Sequence, residues 1–296
     1  MITKTDLSDN LPEFFKQALH SCGAVSFGGV PFSALAGFMS PEQLDKANSL
    51  CCGIKSVICC AFPYYVKSDG NICRYARGRD YHTEICERLA KACTELKEYY
   101  PGNNFVSLTD NSPLPETYAA VMSGIGMLGQ NGLIIVPPYG SYVFIGTIAT
   151  DLELNFENLP EKYEQPRVNC GSCGKCAKAC PTKAFTTKDG RRIFDYTKCV
   201  SHISQKKGEL SATETEALKN SKLIWGCDEC LDACPYNQNP KETEIPGFRE
   251  NLITSLKLSD VNGLSNREFL QKYHERSFTW RGKAVLIRNL TLKEND

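Results

Sequence analysis

Near the start of the chain Leu11, Phe14, Phe15, Ala18 and Leu19 recur at helical spacing behind the capping candidates Ser8, Asp9 and Asn10, which predicts an amphipathic helix over residues 11–19. Ser40-Pro41 opens a second helix, because serine accepts a free amide hydrogen of the first turn and proline fits the first helical position. A third helix starts at about Tyr81, carries Ile85, Leu89, Cys93 and Leu96 on one stripe, and ends at Pro101-Gly102. Runs rich in Val, Ile and Phe at residues 56–62, 104–108, 133–136 and 142–149 predict strands. The last two flank Pro137-Pro138-Tyr139-Gly140-Ser141, which reads as a hairpin loop. Helices and strands alternate to about residue 165, so a layered α/β (α+β) unit is expected over residues 1–165. Cysteines then replace that periodicity, giving a second unit at 166–240, and a helical segment, 241–296, is expected to pack back on both. No fixed-period repeat is present beyond the doubled cysteine run.

At 296 residues, 42% hydrophobic and 23% charged, the chain is long enough for one large core and a smaller module. Sixteen cysteines would suggest a disulfide scaffold in a short secreted chain, but the first residues, Met1-Ile2-Thr3-Lys4-Thr5-Asp6, lead into no apolar signal segment, so a reducing cytoplasm is expected. The longest apolar runs, such as 57–62, fall far short of the roughly 20 residues that span a bilayer, and no membrane segment is expected. A net charge of zero gives no global pull toward nucleic acid, so a polyanionic partner would need a local basic patch.

The cysteine spacing carries chemistry. Cys170-x2-Cys173-x2-Cys176-x3-Cys180-Pro181 is the bacterial ferredoxin run, in which three thiolates hold one 4Fe-4S cluster and the fourth reaches the other. A second run, Cys227-x2-Cys230-x3-Cys234-Pro235, has Ile224 where its first cysteine belongs, and Cys199 can fill the vacancy. The ligand sets are then Cys170, Cys173, Cys176 and Cys234 for one cluster, and Cys180, Cys199, Cys227 and Cys230 for the other. Zinc also takes Cys-x2-Cys pairs, but zinc ribbons separate two such pairs rather than crowding four cysteines into eleven residues. Two clusters in one ferredoxin-like unit pass electrons singly, so this unit reads as a wire feeding a site elsewhere. The remaining cysteines, Cys22, Cys51, Cys52, Cys59, Cys60, Cys73, Cys86 and Cys93, show no ligand spacing and read as small core residues.

Three polar segments sit at loop-to-element junctions: Tyr75-Ala76-Arg77-Gly78-Arg79-Asp80-Tyr81-His82, Asp110-Asn111-Ser112-Pro113-Leu114-Pro115-Glu116, and Gly124-Ile125-Gly126-Met127-Leu128-Gly129-Gln130-Asn131. Asp110 follows an apolar run, at the strand end where open α/β sheets bind ligands, and is a candidate acid. The plainer readings are that Asp80 and Asp110 cap helices and that the glycines serve turns or close packing.

Taken with the cysteine pattern, these segments resemble the epoxyqueuosine reductase family. The likeness runs from Ala76 to Asn237 and resumes in Arg281-Gly282-Lys283-Ala284-Val285-Leu286-Ile287-Arg288-Asn289. It implies a cobalamin-binding domain followed by a double-cluster module, with clusters delivering electrons to cobalamin for removal of the epoxide oxygen of a modified tRNA wobble base. Asp110 matches the family's acid in its Asp-x2-Pro-x2-Glu motif, and an acid that keeps its proton in a dry pocket suits expulsion of that oxygen. The resemblance also implies cofactor contacts at Arg79, Tyr81, His82, Gly129, Asn131 and Ser141, and an external electron donor such as a flavodoxin or ferredoxin.

Several positions depart from the family pattern. Gly-Leu-Gly-Trp-Ile-Gly-Lys-Asn becomes Gly124-Ile125-Gly126-Met127-Leu128-Gly129-Gln130-Asn131, losing an aromatic and a cation. The Gly-Ser-Trp and Gly-Glu pattern becomes Gly140-Ser141-Tyr142 and Gly146-Thr147, and Lys206 ends a segment, Val200-Ser201-His202-Ile203-Ser204-Gln205-Lys206, where members have Thr-Ile-Glu. For a tRNA partner, residues 251–296 hold eight Lys or Arg against five Asp or Glu, a local net of +3; Arg276, Arg281, Lys283 and Arg288 form a candidate phosphate strip, with Trp280 either stacking on a base or filling the core. Two alternatives stand beside tRNA reduction: a cobalamin-dependent reductase of another small substrate, as in reductive dehalogenases, motivated by Met127 and Gln130, and a non-catalytic 4Fe-4S electron-transfer protein.

Overall fold

The computed structural model describes residues 11–156, 170–188 and 191–294. The caps proposed at Ser8, Asp9 and Asn10, and the end of the first unit at 157–165, lie outside the described residues. The chain divides into two compact units: residues 1–63, 82–129 and 133–171 form the first, and residues 64–81, 130–132 and 172–296 the second.

In the first unit the strands are β1 (Ser26–Pro31), β2 (Ser56–Pro63), β3 (Phe105–Leu108), β4 (Met127–Leu128), β5 (Ile134–Ile135) and β6 (Val143–Thr150). The main sheet has the order β1-β2-β6-β3 and is antiparallel at every joint. Every residue of β2 is buried, so both faces of the sheet are covered. The period of two divides it: Val57, Cys59 and Ala61 enter a cluster with Ala119, Ala120 and Ile125, while Gly146 of β6 lies against Phe62, Ile85 and Leu89. Helix Tyr81–Tyr99 packs there with Ile85, Leu89 and Leu96 of the stripe its sequence predicts, each stabilising by about 1 to 3 kcal/mol when removed from water, and with Ala92 where the half-buried Cys93 was expected. A methyl on Gly146 would meet Leu89 Cδ1 at 2.7 Å, so glycine lets helix and strand approach. The first expected helix is found at Glu13–Ser21, and the second expected one, Pro41–Leu50, follows a short helix Phe32–Ala36 and starts with a capping box between Ser40 and Gln43.

Two sequence expectations change. Residues 137–141 do not join two paired strands: β5 pairs with β4, and β6 pairs with β2 and β3, while Val136 and Gly140 close a tight turn around a cis Pro137-Pro138 bond. The sheet is also not of the open parallel type, so the ligand-binding crevice of such sheets does not account for Asp110. Of the eight non-motif cysteines, Cys22, Cys51, Cys59, Cys60 and Cys73 are buried as expected, whereas Cys52 is exposed.

The second unit contains β7 (Phe185–Lys188) paired with β8 (Arg191–Phe194), a hairpin inside the cysteine region that its sequence did not announce. Its core joins Ile72, Cys73 and Ala76 to Trp225, Phe269, Phe278, Leu286 and Leu290. Segment 64–81 is stitched in by backbone hydrogen bonds from Ile224 N to Asn71 O (2.7 Å) and from Cys73 N to Trp225 O (3.0 Å). The last helix, Lys283–Glu294, is held by the buried Asn289, whose Nδ2 donates to Ser204 O and Ile224 O, both at 2.7 Å. Asn289→Leu should therefore destabilise this unit by about 2 kcal/mol, because two buried carbonyls lose their donor. An unchanged denaturation midpoint of the iron-loaded variant would contradict that account.

Candidate active site

Asp110 lies just past β3, whose Leu108 pairs with Thr147 on β6. Its backbone is left-handed, with φ at 59°, a conformation costing a non-glycine residue about 1 to 2 kcal/mol. Around it the chain turns tightly: Ser112 N donates to Asp110 O (2.5 Å), Leu114 N to Ser112 Oγ (3.1 Å) and Glu116 N to Leu114 O (2.8 Å). Pro115 then precedes helix Glu116–Met122. The Asp110 Oδ2 atom lies 2.9 Å from His82 Nε2, at the start of helix Tyr81–Tyr99, and its side chain is 58% exposed.

The withdrawn carboxyl is Glu116. Burial pushes it up to about 8, the Asp110 charge pushes the same way, and the Asp110 backbone N–H and the Thr147 hydroxyl partly offset both. Thr147 Oγ1 is 3.5 Å from Glu116 Oε1. The turn exposes the first carboxyl of the Asp-x2-Pro-x2-Glu motif and folds the second toward β6, so the carboxyl that burial raises is Glu116. Glu116 was visible in the sequence only as the last letter of the Asp-x2-Pro-x2-Glu spacing, and Thr147 only as a departure. Thr109, next to Asp110, has a buried Oγ1 with no hydrogen-bond partner among the described residues, a polar atom suited to a group bound at this site.

The other motif residues divide between the units. His82, Gly129 and Ser141 belong to the first, and Arg79, Tyr81 and Asn131 to the second. Arg79 pairs with Glu275 at 3.1 Å, and Tyr81 lies edge-on to Tyr75 with ring centroids 6.2 Å apart. Gly129 N donates to Leu133 O at 2.8 Å. Of the departures, Met127 pairs with Ile135 in the short β4-β5 ladder, and Lys206 binds Glu214 at 2.9 Å, holding that carboxyl down at about 2.

Seven of the eight motif cysteines lie in the second unit, and Cys170 falls at the end of the first. Burial pushes the Cys230 thiol up to about 12, with further pressure from Cys227, Cys199, Cys176 and Cys180. Cys227 is raised to about 12 by burial and by Cys199 among others, and Cys199 by burial and Cys180. Mutual repulsion marks Cys176, Cys180, Cys199, Cys227 and Cys230 as neighbours. The turn between Cys227 and Cys230 is fixed by Asp228, whose Oδ2 accepts from Arg74 N (2.9 Å) and Arg74 Nη1 (3.1 Å).

The candidate phosphate strip is not what the charges suggested. Arg276 donates to Arg77 O (3.2 Å) and Asn251 O (2.6 Å), Arg288 to Lys206 O (2.6 Å) and Gly208 O (2.9 Å), and Lys283 to Leu264 O. Three of its four cations thus satisfy backbone carbonyls of their own unit. Trp280 is not a core residue: it is 58% exposed, its Nε1 donates to Gln205 Oε1, and the Arg281 guanidinium stacks 3.5 Å from its ring. No described helix is long and apolar enough to cross a membrane.

Comparison with known proteins bears on both centres. Residues 169–237 match the 4Fe-4S double cluster binding domain, which sets zinc aside, and residues 46–111 match the family described as Epoxyqueuosine reductase QueG, DUF1730. A crystal structure of epoxyqueuosine reductase with an epoxyqueuosine-modified tRNA-Tyr stem loop superposes with a TM-score of 0.77 at 27% identity, covering 95% of this chain and 80% of that one. The Bacillus subtilis epoxyqueuosine reductase, in a structure with its catalytic aspartate loop swung out of the active site, gives 0.74 at 26% identity with the same coverage. With epoxyqueuosine reductase of Bacillus anthracis the chain shares 34% identity over 277 residues, 87% of its own length and 68% of the relative's, and it belongs to the epoxyqueuosine reductase family.

Proposed function

We propose that this chain reduces epoxyqueuosine in tRNA to queuosine, with Asp110 as the acid that protonates the departing epoxide oxygen. The observation that carries the reading is the Asp110 turn, which sets one exposed carboxyl 2.9 Å from His82 and a second, half-buried one at Glu116. Expelling an unprotonated oxygen is difficult, and Asp110 in its protonated form, as a positioned acid, speeds that step by typically about 10²- to 10⁴-fold. His82 orients the Asp110 carboxyl through their shared hydrogen bond.

The residues fit the cofactors of the family. Cys170, Cys173, Cys176 and Cys234 would hold one 4Fe-4S cluster, and Cys180, Cys199, Cys227 and Cys230 the other, the division that the ferredoxin spacing carries. The contacts proposed for cobalamin are Arg79, Tyr81, His82, Gly129, Asn131 and Ser141, joined by Thr109, whose buried hydroxyl supports a polar group bound beside Asp110. When bound, the clusters and cobalamin supply one-electron transport and the reducing equivalents for carbon-oxygen cleavage. The protein's part is to position the substrate, move the proton at Asp110 and exclude water. An external one-electron donor of the flavodoxin or ferredoxin kind completes the cycle.

The test begins with anaerobic gel filtration of the iron-loaded protein with cobalamin, reading iron, cobalt and the visible spectrum of the protein peak. The same fraction, supplied with a chemical reductant, is then assayed for queuosine in epoxyqueuosine-containing tRNA. Two clusters' iron, stoichiometric cobalt and queuosine are expected. Iron and cobalt without queuosine would overturn the substrate, and iron without cobalt would leave an electron-transfer protein.

A further inference from the structure

The mechanism leaves Glu116 without a task, although it contributes a titratable carboxyl to the most constrained turn of the first unit. Asp110 holds a left-handed backbone that no glycine supplies, so its neighbours must keep it there. Two contacts of Glu116 suit that purpose: its carboxyl accepts the Asp110 backbone N–H, and it meets the hydroxyl of the fully buried Thr147 on β6, the strand that pairs with β3. The turn is thereby tied to the sheet from its far end, through the first residue of the following helix.

We propose that Glu116 is a positioning residue that latches the Asp110 turn, holding its backbone N–H so that the Asp110 carboxyl stays against His82. This rests on the reading of Asp110 as the acid. Both Glu116 contacts favour the ionised carboxyl, but burial and the Asp110 charge outweigh them and keep it neutral. Among the described residues the titratable groups facing it are the Asp110 carboxyl from the turn and the Cys59 thiol from β2, and His82 from helix Tyr81–Tyr99 bonds to Asp110. With its carboxyl raised to about 8 by burial, Glu116 is uncharged at neutral pH and does not repel Asp110. Above that value two carboxylates share the turn, and their repulsion, which exceeds the gain in the bond from the Asp110 N–H, loosens the latch.

Glu116→Gln keeps an acceptor for the Asp110 N–H and cannot ionise; Glu116→Ala keeps neither feature. In the iron- and cobalamin-loaded protein, Glu116→Ala should lower kcat on the order of a hundredfold with KM little changed, the cost of a misplaced acid. Glu116→Gln should recover most of that loss at neutral pH and flatten the alkaline fall in kcat that wild type shows near the Glu116 value. Amide hydrogen exchange over residues 109–115, compared at one pH, should rise in Glu116→Ala and not in Glu116→Gln. That readout needs no substrate, so failure of the latch is separable from failure of the tRNA assignment. Wild-type kcat in Glu116→Ala would overturn the proposal, as would a Glu116→Gln protein as slow as Glu116→Ala with intact cofactors, which would make the Glu116 proton itself the reactant. If Glu116→Ala does not fold, an alkaline limb unchanged in Glu116→Gln overturns the latch on its own.

Discussion

Asp110→Asn should lower turnover of epoxyqueuosine by about 10²- to 10⁴-fold, the range a positioned general acid contributes, while iron and cobalt content stay at wild-type levels. The choice of asparagine follows from the backbone. Asp110 sits at φ 59°, and asparagine is among the few residues that enter this region readily, so the turn and its Ser112 N–H to Asp110 O bond survive the change. Asp110→Ala would remove the acid and also place a less tolerant residue in a left-handed position, mixing chemistry with strain. Asparagine can still bond to His82 but has no carboxyl proton to give. A variant that forms queuosine at the wild-type rate would remove Asp110 from the reaction and leave Glu116 as the acid nearest the turn.

The parts of this molecule legible in its sequence are those whose physics is local. Helix Tyr81–Tyr99 shows because Ile85, Leu89 and Leu96 repeat at helical spacing and stay buried. The double cluster unit shows because ligand spacing is a property of one short run. Strand β1 did not show: its glycines look like a loop, yet they are there because a methyl on Gly28 would sit 2.2 Å from Ser123 O and one on Gly29 would strike the Phe156 ring. The partners of β6 were equally hidden, since its pairing with β2 joins residues far apart in the chain and no spacing rule records it.

The candidate site divides the same way. The motif pointed to Asp110, and its company with His82 and Glu116 was written in the segments around it, but which carboxyl is withdrawn from water depends on how the turn folds onto β6. Charge counting failed for a related reason. Arg276 and Arg288 add to a local positive sum, yet their guanidinium groups close off backbone carbonyls, and that use is invisible until the carbonyls have a place in space.

Cys199→Ala should have the other large effect: iron falling toward half of wild type, loss of one cluster's spectrum and loss of turnover. Cys199 belongs to no Cys-x2-Cys pair and stands at the start of the short helix Val200–Gln205. Its thiol nonetheless presses on Cys227 and Cys230 and is itself pressed by Cys180, the company expected of a fourth ligand brought in from a separate segment. With alanine there, one iron of the second cluster would lack its protein sulfur, and electron delivery through the module would be broken. Cys52→Ala is the control, because Cys52 is an exposed cysteine in the first unit, outside both ligand sets, and iron and turnover should not change. Full iron and an unchanged cluster spectrum in Cys199→Ala would show that Cys180, Cys227 and Cys230 find their fourth partner elsewhere, and the division of the eight thiols would have to be redrawn.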